Sequence, residues 1–477
     1  MRPSLAALAL AGLAAVACGA RPDAAPCAKA PRAEVASAHA TAPSSPSPRV
    51  DPESVLAYVV ARSLADEVGP RLAGSEGDRR AVAWAIAKLR ALGFADVRAE
   101  KVSVPVWVRG REEARVVGAA SQPLAITALG WSASTPEGGI EADVLEVSSL
   151  EEADALGDRA RGKIVFYNVP TERAKDGHGY GKAVPVRFAG PQKAEKAGAA
   201  AVLIRSVGTD SDRFPHTGSM GRGTSRVPSA ALSNPDADLL HRLGARGPVR
   251  VRMVVEARDA GVGESANVVG EIPGTSARDE IVLVGAHLDS WDVGSGALDD
   301  AAGVGLVVAA ASRFAARPLA RTVRVVLFAA EENSVSGGKE YARAHAAEAG
   351  RHVLALEMDH GTGASYESRI AAGPGALGRL GALAADLAKA EAPLVGEPAW
   401  GGTDVGPLRA LGVPIFDLRQ DASGYFDVHH TANDVPARLD PAGLAKTTRA
   451  IELVLEHVAG TRVDLGRVPE GEREPKH

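Results

Sequence analysis

The sequence predicts an α/β protein with a central, largely parallel mixed sheet flanked by helices and an inserted β-rich domain. From Ser265 onward, apolar runs of strand length alternate with helical segments, an order typical of parallel sheets covered on both faces. Between residues 120 and 258 the pattern changes to short strands and loops. The length of 477 residues exceeds what one hydrophobic core usually serves, so we expect two folded domains.

Residues 1–20 have the composition of a secretion signal. A basic start precedes a short apolar run from Leu5 to Ala17, which is too short to span a bilayer. The segment from Ala15 to Cys18 resembles a bacterial lipoprotein cleavage site and predicts a lipid anchor through Cys18; ordinary cleavage after Ala20 is the alternative. Residues 21–50, rich in Ala, Pro and Ser, indicate a flexible linker. We therefore expect an exported protein, periplasmic or extracellular, that is either free or held at the membrane.

Composition narrows the classes of partner and metal site. A net charge of -5 argues against a nucleic-acid partner, which normally requires a basic surface. Cys18 and Cys27 are the only cysteines, so a disulfide framework and a thiolate zinc cluster are excluded. Any metal must therefore be held by His, Asp and Glu. The sequence is compatible with a monomer or a homodimer.

The first folded segment, residues 51–119, is predicted to contain two helices and a strand. Asp51 and Pro52 can cap and start the first helix, and the second is predicted from Glu76 to Leu92. Residues Val102 to Val108 are typical of a strand. These elements are too few for a domain, so we expect them to join a sheet completed later in the chain.

Residues 120–258 are predicted to form the inserted domain, with a single clear helix. Strands at Lys163 to Tyr167 and Ala200 to Ile204 flank a helix from Pro191 to Ala197. His216, in a loop of this segment, is interpreted as a packing or surface residue rather than a metal ligand, with a substrate contact as the alternative.

Residues 259–465 are predicted to form the α/β core, followed by a tail at residues 466–477. Its elements in order are a strand at Ile281 to Gly285, a helix at Ala302 to Ala316, a strand at Thr322 to Ala329, a helix at Gly338 to Ala347, a strand at Val353 to Met358, and covering helices at Ala376 to Ala390 and Pro441 to Ala459. Ligands of such sheets gather at the carboxyl ends of the strands.

Metal-binding side chains follow these predicted strands. His287 and Asp289 follow the first strand, and in extended geometry they point the same way, so one can bind a metal while the other orients the ring. Asp299 returns through a glycine-rich loop flexible enough to bring a second carboxylate alongside. Imidazole and carboxylate together suit zinc.

Further candidates follow the next two strands and a late loop. Glu331 and Glu332 are adjacent, so one can bind metal while its neighbour carries a proton to and from the reacting groups. Asp359 follows the third strand, and a last histidine comes from the pair His429 and His430. With His430 taken from that pair, two ions receive three side chains each if Asp299 bridges them.

These motifs resemble the co-catalytic two-zinc peptidases of family M28, in particular the carboxypeptidase Q branch. The resemblance covers nearly the whole chain from Asp51 onward. Five motifs carry it in family order, at residues 287–294, 296–300, 330–332, 402–404 and 429–431. The inserted segment is similar to a protease-associated domain. The resemblance implies the zinc-peptidase fold, of the phosphorylase/hydrolase-like type.

The resemblance implies that one zinc ion is held by His287, Asp359 and a bridging Asp299. The second ion would be held by Glu332, His430 and the same Asp299. A cis peptide bond after the bridging aspartate is also implied.

Roles for three neighbouring residues follow from the same resemblance. Glu331 matches the family's general base, and Asp289 matches the carboxylate behind the first histidine. His430, not His429, fits the family pattern of histidine, Ser or Thr, two residues and an acid. His429 stands where several relatives carry a tyrosine that polarises the scissile carbonyl, so we hypothesise that it donates a hydrogen bond to the oxyanion.

The expected activity is hydrolysis of small peptides, dipeptides in particular. Three alternatives share parts of the pattern. An aminopeptidase would need an acid for the substrate's amino terminus, and Asp404 is a candidate. A glutaminyl cyclase-like acyl transferase would use one metal, and a non-catalytic binding protein would have lost ligands that are present here.

Overall fold

The computed structural model describes residues 50–119 and 121–474. The predicted signal segment, its Cys18 anchor and residues 21–49 of the linker lie outside the described residues, as do the last three residues of the tail. In the part of the chain that is described, no helix is both long and apolar enough to cross a membrane.

Thirteen strands form one mixed sheet in the described residues, and helices cover it. The strands are β1 (Ala95–Val117), β2 (Gln122–Leu124), β3 (Ile126–Ala128), β4 (Ile140–Val147), β5 (Ile164–Tyr167), β6 (Ala201–Arg205), β7 (Ser229–Leu232), β8 (Arg250–Ile272), β9 (Ala277–His287), β10 (Arg321–Phe328), β11 (His352–Glu357), β12 (Ser365–Ala371) and β13 (Ile415–Gln420). The helices are α1 (Leu56–Glu67), α2 (Glu76–Ala91), α3 (Leu150–Asp154), α4 (His178–Ala183), α5 (Pro185–Lys196), α6 (Asn234–Gly244), α7 (Ala302–Ser312), α8 (Glu331–Ser334), α9 (Ser336–Ala344), α10 (Ala376–Arg379), α11 (Gly381–Lys389), α12 (Gly406–Ala410) and α13 (Pro441–Thr461).

The strand order is β12-β13-β11-β9-β10-β8-β4-β5-β6-β7-β3, with β1 paired to β8 and β2. Strands β13, β11, β9 and β10 are parallel neighbours, as the alternating pattern predicted. Strand β8 enters antiparallel beside β10, and β12 runs antiparallel beside β13. The predicted α/β fold is therefore confirmed, with a sheet that is mixed as a whole and parallel where the candidate ligands arise.

The central strands are buried because helices pack on them. All eight residues of β10 are buried, which is typical of a parallel strand covered on both faces. Helix α7 is apolar all round, with ten of its residues buried. It packs closely on α1: a β-carbon at Gly305 would lie 2.3 Å from the carbonyl oxygen of Ala57. The small residues of α7 thus allow two helix backbones to approach each other.

Three predicted elements differ in extent from those observed. Strand β1 has 23 residues rather than seven because it forms a long antiparallel ribbon with β8, and its partly exposed ends lack an apolar pattern. The helix predicted at Ala376 to Ala390 is two helices, α10 and α11, separated at Leu380. The helix predicted at Pro191 to Ala197 begins earlier, at Pro185.

The prediction of one helix in the inserted segment was wrong. Four helices, α3 to α6, accompany its strands in the described residues, so the segment is mixed α/β rather than β-rich. Helix α6 starts where the side chain of Ser233 accepts a hydrogen bond from the backbone N–H of Asp236, and Pro235 occupies the first turn. The segment has its own apolar core, centred on β5 and β6, and meets the rest of the sheet where β4 pairs with β8.

Candidate metal centre

His287 is the last residue of β9 and lies beside Phe328, the last residue of β10. Its ring is buried, and its Nδ1 lies 3.0 Å from the backbone carbonyl oxygen of Asp289 and 3.6 Å from the Asp289 carboxylate. Because a carbonyl only accepts, Nδ1 carries the proton and Nε2 has a free lone pair. The strand end therefore presents a nitrogen suited to a metal.

Asp299 is held in place by the backbone around it. The chain turns at Gly296, whose φ is +58°, into a short helical turn at Ala297–Ala301 that contains a cis peptide bond between Asp299 and Asp300. The family resemblance implied this cis bond. Asp434 accepts hydrogen bonds from the N–H groups of Leu298 at 2.7 Å and Asp299 at 3.1 Å. These contacts fix the direction of the Asp299 side chain.

The two oxygens of Asp299 face different sets of donor atoms. Oδ1 lies 3.1 Å from His287 Nε2, which is also 3.5 Å from Asp359 Oδ1. Oδ2 lies 3.2 Å from His430 Nε2, which is 3.0 Å from Glu332 Oε2. The five side chains proposed as ligands thus form two clusters that share one carboxylate.

The chemistry of these clusters fits divalent metal ions. Asp299 Oδ2, Glu332 Oε1 and Asp359 Oδ1 are buried without a hydrogen-bond partner among the described residues. Three sets of three side chains have possible ligand atoms within 4.8 Å of one another. The sets are Asp299, His429 and His430; His287, Asp299 and Glu332; and His287, Asp300 and Asp359. Buried carboxylates this close repel one another unless a cation lies between them. Mixed imidazole and carboxylate donors suit zinc.

His430 is oriented by the inserted segment. Its Nδ1 lies 3.3 Å from the backbone oxygen of Thr217, and its own carbonyl accepts a hydrogen bond from the Thr217 N–H at 3.0 Å. The Nδ1 proton therefore points to Thr217 and leaves Nε2 toward Glu332 and Asp299. The φ of His430 is +62°, a left-handed conformation that is costly for a residue with a β-carbon. The surrounding contacts hold it there.

His429 stacks on His430, with ring centroids 3.5 Å apart and 22° between the planes. Its Nε2 is 3.5 Å from Asp299 Oδ2, and its Nδ1 is buried without a partner among the described residues. Tyr180, Tyr425 and Phe426 surround the ring. Burial lowers the pKa of His429 well below its ordinary value, so the ring is neutral. His430 contacts both acidic partners of its cluster, whereas His429 approaches Asp299 alone.

Glu331 begins α8 just after the end of β10. Its N–H donates to Asp289 Oδ1 at 2.9 Å, and the N–H of Glu332 lies 3.4 Å from Asp289 Oδ2. Asp289 thus caps the turn that carries both glutamates. Burial raises the pKa of Glu331 well above its ordinary value, and the nearby Asp359 carboxylate also raises it. A carboxylate with a raised pKa is suited to accept a proton.

A cavity of about 890 Å³ opens onto this centre. Its wall includes Asp299, Glu331, Glu332, Asp359 and His430, together with residues of the inserted segment. The volume falls within the range of small-ligand sites.

Two other sequence candidates lie in the protein interior. Asp404 has no exposed surface, accepts a hydrogen bond from the N–H of Gly338 at 3.1 Å, and donates its own N–H to Glu357 at 2.8 Å. His216 is buried, and its Nε2 lies 2.6 Å from Asp210, so it is a packing residue.

Sequence reasoning missed Arg71, which supports the centre from behind. Its guanidinium is fully buried and donates to the carbonyl oxygens of Leu288 at 2.6 Å, Ser295 at 2.6 Å and Gly296 at 2.8 Å. Those carbonyls belong to the two stretches of chain that carry His287 and Asp299. An arginine in a loop between two helices resembles any exposed basic residue, so the sequence carries no signal for this role.

Comparisons with known proteins identify similar sequences and folds. The sequence profile of peptidase family M28 matches residues 267–455. Carboxypeptidase Q from Mus musculus is 36% identical over 387 residues, which cover 79% of this chain and 80% of that protein. A solved peptidase M28 precursor from Shewanella amazonensis is 42% identical and has a TM-score of 0.85 over 89% of this chain and 96% of that one. A zinc aminopeptidase from Bacillus subtilis, 19% identical, shares the fold with a TM-score of 0.64 over 87% of this chain and 97% of that one.

Proposed function

The chain belongs to peptidase family M28, and from that membership we propose that it is an exported two-zinc peptidase that hydrolyses small peptides, dipeptides in particular. Its similarity to carboxypeptidase Q supports cleavage near a free carboxyl end. Export rests on the composition of residues 1–20. Residues 1–20 are compatible with two forms of the exported protein, one free and one anchored to the membrane through Cys18.

One observation carries the proposal of two ions. The carboxylate of Asp299 presents its oxygens to two histidines, His287 at 3.1 Å and His430 at 3.2 Å, and each histidine has its own second carboxylate. A single-metal site would need only one such set. We assign His287, Asp359 and Asp299 to one zinc, and Glu332, His430 and Asp299 to the other.

Zinc ions bound there would supply Lewis acidity and lower the pKa of a water molecule. Glu331 lines the cavity beside Glu332 and Asp359. Its carboxylate takes a proton from the attacking water and returns it to the nitrogen of the leaving amine. The Asp289 carboxylate accepts hydrogen bonds from the N–H groups of Glu331 and Glu332. These contacts hold Glu331 in position for both proton transfers.

His429 is proposed to donate a hydrogen bond to the oxyanion. Its ring is neutral and lines the cavity next to His430. One ring nitrogen of a neutral imidazole carries a proton, and a donor aimed at the developing charge contributes about 3–4 kcal/mol to catalysis. We expect His429→Ala to lower kcat while two zinc ions remain bound, and His430→Ala to lose zinc. Near-normal turnover of His429→Ala would refute the oxyanion role.

The decisive experiment uses zinc-loaded protein and a panel of free, N-acetylated and C-amidated dipeptides, with release of amine as the readout. We expect hydrolysis of the free dipeptides and two zinc ions per chain by elemental analysis. Glu331→Gln should keep both ions and lower kcat roughly 10²- to 10⁴-fold. Glu340→Gln is the matched control, because Glu340 is a glutamate of α9 paired with Arg343, away from the centre. One zinc ion per chain would favour an acyl transferase, and two ions without hydrolysis would favour a binding protein.

Aminopeptidase activity is the second candidate, and one observation favours it. Glu357 lines the cavity and its Oε1 is buried without a partner among the described residues, so it is able to hold a substrate ammonium. Asp404, the sequence candidate for that role, lies behind Glu357 and has no exposed surface. An aminopeptidase would cleave C-amidated and longer peptides as well as free dipeptides, and would reject N-acetylated ones.

A further inference from the structure

Arg187 is a buried cation of the inserted segment that lines the same cavity as the metal centre. It lies in the first turn of α5, and only 4% of its surface is exposed. The cavity that it lines also contains Glu331 and His429. A positive charge is thus placed beside the reacting groups.

The contacts of Arg187 hold the guanidinium without neutralising it. One terminal nitrogen donates to the hydroxyl of Tyr180 at 2.9 Å, and the group lies over the rings of Tyr180 and Phe188 at 5.7 and 5.0 Å. A β-carbon at Gly218 would lie 2.3 Å from Nη1, so the missing side chain there makes room for the group. Nε is buried without a hydrogen-bond partner among residues 50–119 and 121–474.

Arg187 differs from the three other arginines that line this cavity, because each of those lies within 4.0 Å of a carboxylate. The pairs are Arg222 with Asp259 at 2.7 Å, Arg369 with Glu367 at 2.7 Å and Arg419 with Glu367 at 3.8 Å. Over the described part of the chain, Arg187 has no carboxylate within that distance. Burying an unpaired charge is costly, and the cost is recovered when an anion binds.

We propose that Arg187 binds the free α-carboxylate of the peptide substrate, on the side of the leaving amine. This inference rests on the proposed peptidase function and adds a specificity-determining residue to it. A guanidinium presents charged N–H donors that match a carboxylate, and Arg187 lines the cavity without a carboxylate partner among the described residues.

A consequence for substrate length follows from the shared cavity. Arg187 and the metal centre line one space of about 890 Å³, so a carboxylate bound at Arg187 would share that space with the bond that is cleaved. In a dipeptide only one residue lies between the peptide bond that is cleaved and the free carboxylate. Peptides without a free carboxylate at that distance leave the guanidinium buried and unpaired.

The carboxylate of an acidic substrate side chain has the same chemistry, so the experiment separates the two sources. Three substrates are compared: a dipeptide with a free carboxyl end, its C-terminal amide, and the amide of a dipeptide that ends in glutamate. The proteins are wild type, Arg187→Met, Arg187→Lys and the control Arg222→Met, whose arginine lines the cavity but is paired with Asp259.

For the free dipeptide we expect Arg187→Met to lower kcat/KM roughly 10- to 100-fold, mostly through KM, as for loss of a hydrogen bond to a charged group. Arg187→Lys should recover part of the loss, and Arg222→Met should stay within about twofold of wild type. Wild type should prefer the free dipeptide to both amides by a similar factor, and this preference should vanish in Arg187→Met. The preference is a ratio within one protein, so a smaller folded fraction does not change it.

Binding gives a second readout that does not depend on turnover. In the Glu331→Gln background, titration calorimetry should show a roughly 10- to 100-fold weaker Kd for the free dipeptide when Arg187 is also replaced by Met. Equal cleavage of free and amidated dipeptides by wild type, or an unchanged preference in Arg187→Met, would overturn the role of Arg187 and leave the peptidase function standing. Recovery of cleavage by the glutamate amide would show that a side-chain carboxylate is bound instead, which also overturns the proposal. Absence of any hydrolysis by zinc-loaded wild type would refute the peptidase function itself.

Discussion

Replacement of Arg71 tests whether the ligand-bearing loop depends on support from behind. The fully buried guanidinium donates three hydrogen bonds of 2.6 to 2.8 Å to the carbonyls of Leu288, Ser295 and Gly296. Arg71→Met removes these donors and leaves three carbonyls without them, each at a cost of about 1–3 kcal/mol. Removing a buried charge returns several kcal/mol of desolvation cost. The three unpaired carbonyls together cost about 3–9 kcal/mol, so after the returned desolvation we expect a net loss of about 1–5 kcal/mol in the free energy of unfolding.

Urea unfolding in the presence of a chelator measures this loss without a contribution from metal. Trp291, buried in the same loop, contributes to the fluorescence signal. Arg71→Lys keeps the charge but not the fork of donors, so it should fall between wild type and Arg71→Met. Zinc affinity should fall at least tenfold in Arg71→Met, because the loop that presents Asp299 loses its support. A loss below about 1 kcal/mol with unchanged zinc affinity would refute the supporting role.

Further predictions concern packing, pH and metal. Asp434→Ala should lower zinc affinity roughly 10- to 100-fold by releasing the N–H groups of Leu298 and Asp299, which metal-buffered titration would detect. Gly305→Ala should destabilise the fold by about 1–3 kcal/mol, since the new β-carbon would lie 2.3 Å from the backbone of α1; an unchanged Tm would contradict this packing. Burial lowers the pKa of His352 to about 4, so this residue takes up a proton on unfolding below pH 6.5, and stability should fall by up to roughly 3 kcal/mol between pH 6.5 and 4. His352→Gln should flatten that part of the curve of unfolding free energy against pH. Zinc should raise the Tm of wild type, and a chelator should reverse the shift, because ligands that bind only the folded state stabilise it.

Much of the fold could be predicted from local pattern. The parallel strands β9, β10 and β11 contain apolar runs bounded by polar residues, interrupted in β10 only by Arg324, and this pattern is visible in the sequence without knowledge of the tertiary structure. Strand β1 was predicted too short for the opposite reason. The ends of β1 are stabilised by pairing with β8, a partner more than a hundred residues away, and no local pattern records such pairing.

The sequence alone determined the chemical types at the site and their order along the chain. The five proposed ligands have side chains of types that bind metals, they lie at predicted strand ends or in late loops, and their motifs identified the family: His287, Asp299, Glu332, Asp359 and His430. That information is local, since a strand and the residue after it are neighbours in the chain.

Only the tertiary structure decided which oxygen of Asp299 faces which histidine, and what stands behind each ligand. Arg71 reaches two stretches of chain more than two hundred residues away, and the carbonyl of Thr217 orients His430 across a similar separation. The burial of Arg187 without a carboxylate partner among the described residues is likewise a property of the tertiary structure. Hydrogen bonding and desolvation depend on distances of a few ångströms, and those distances arise when remote parts of the chain pack together.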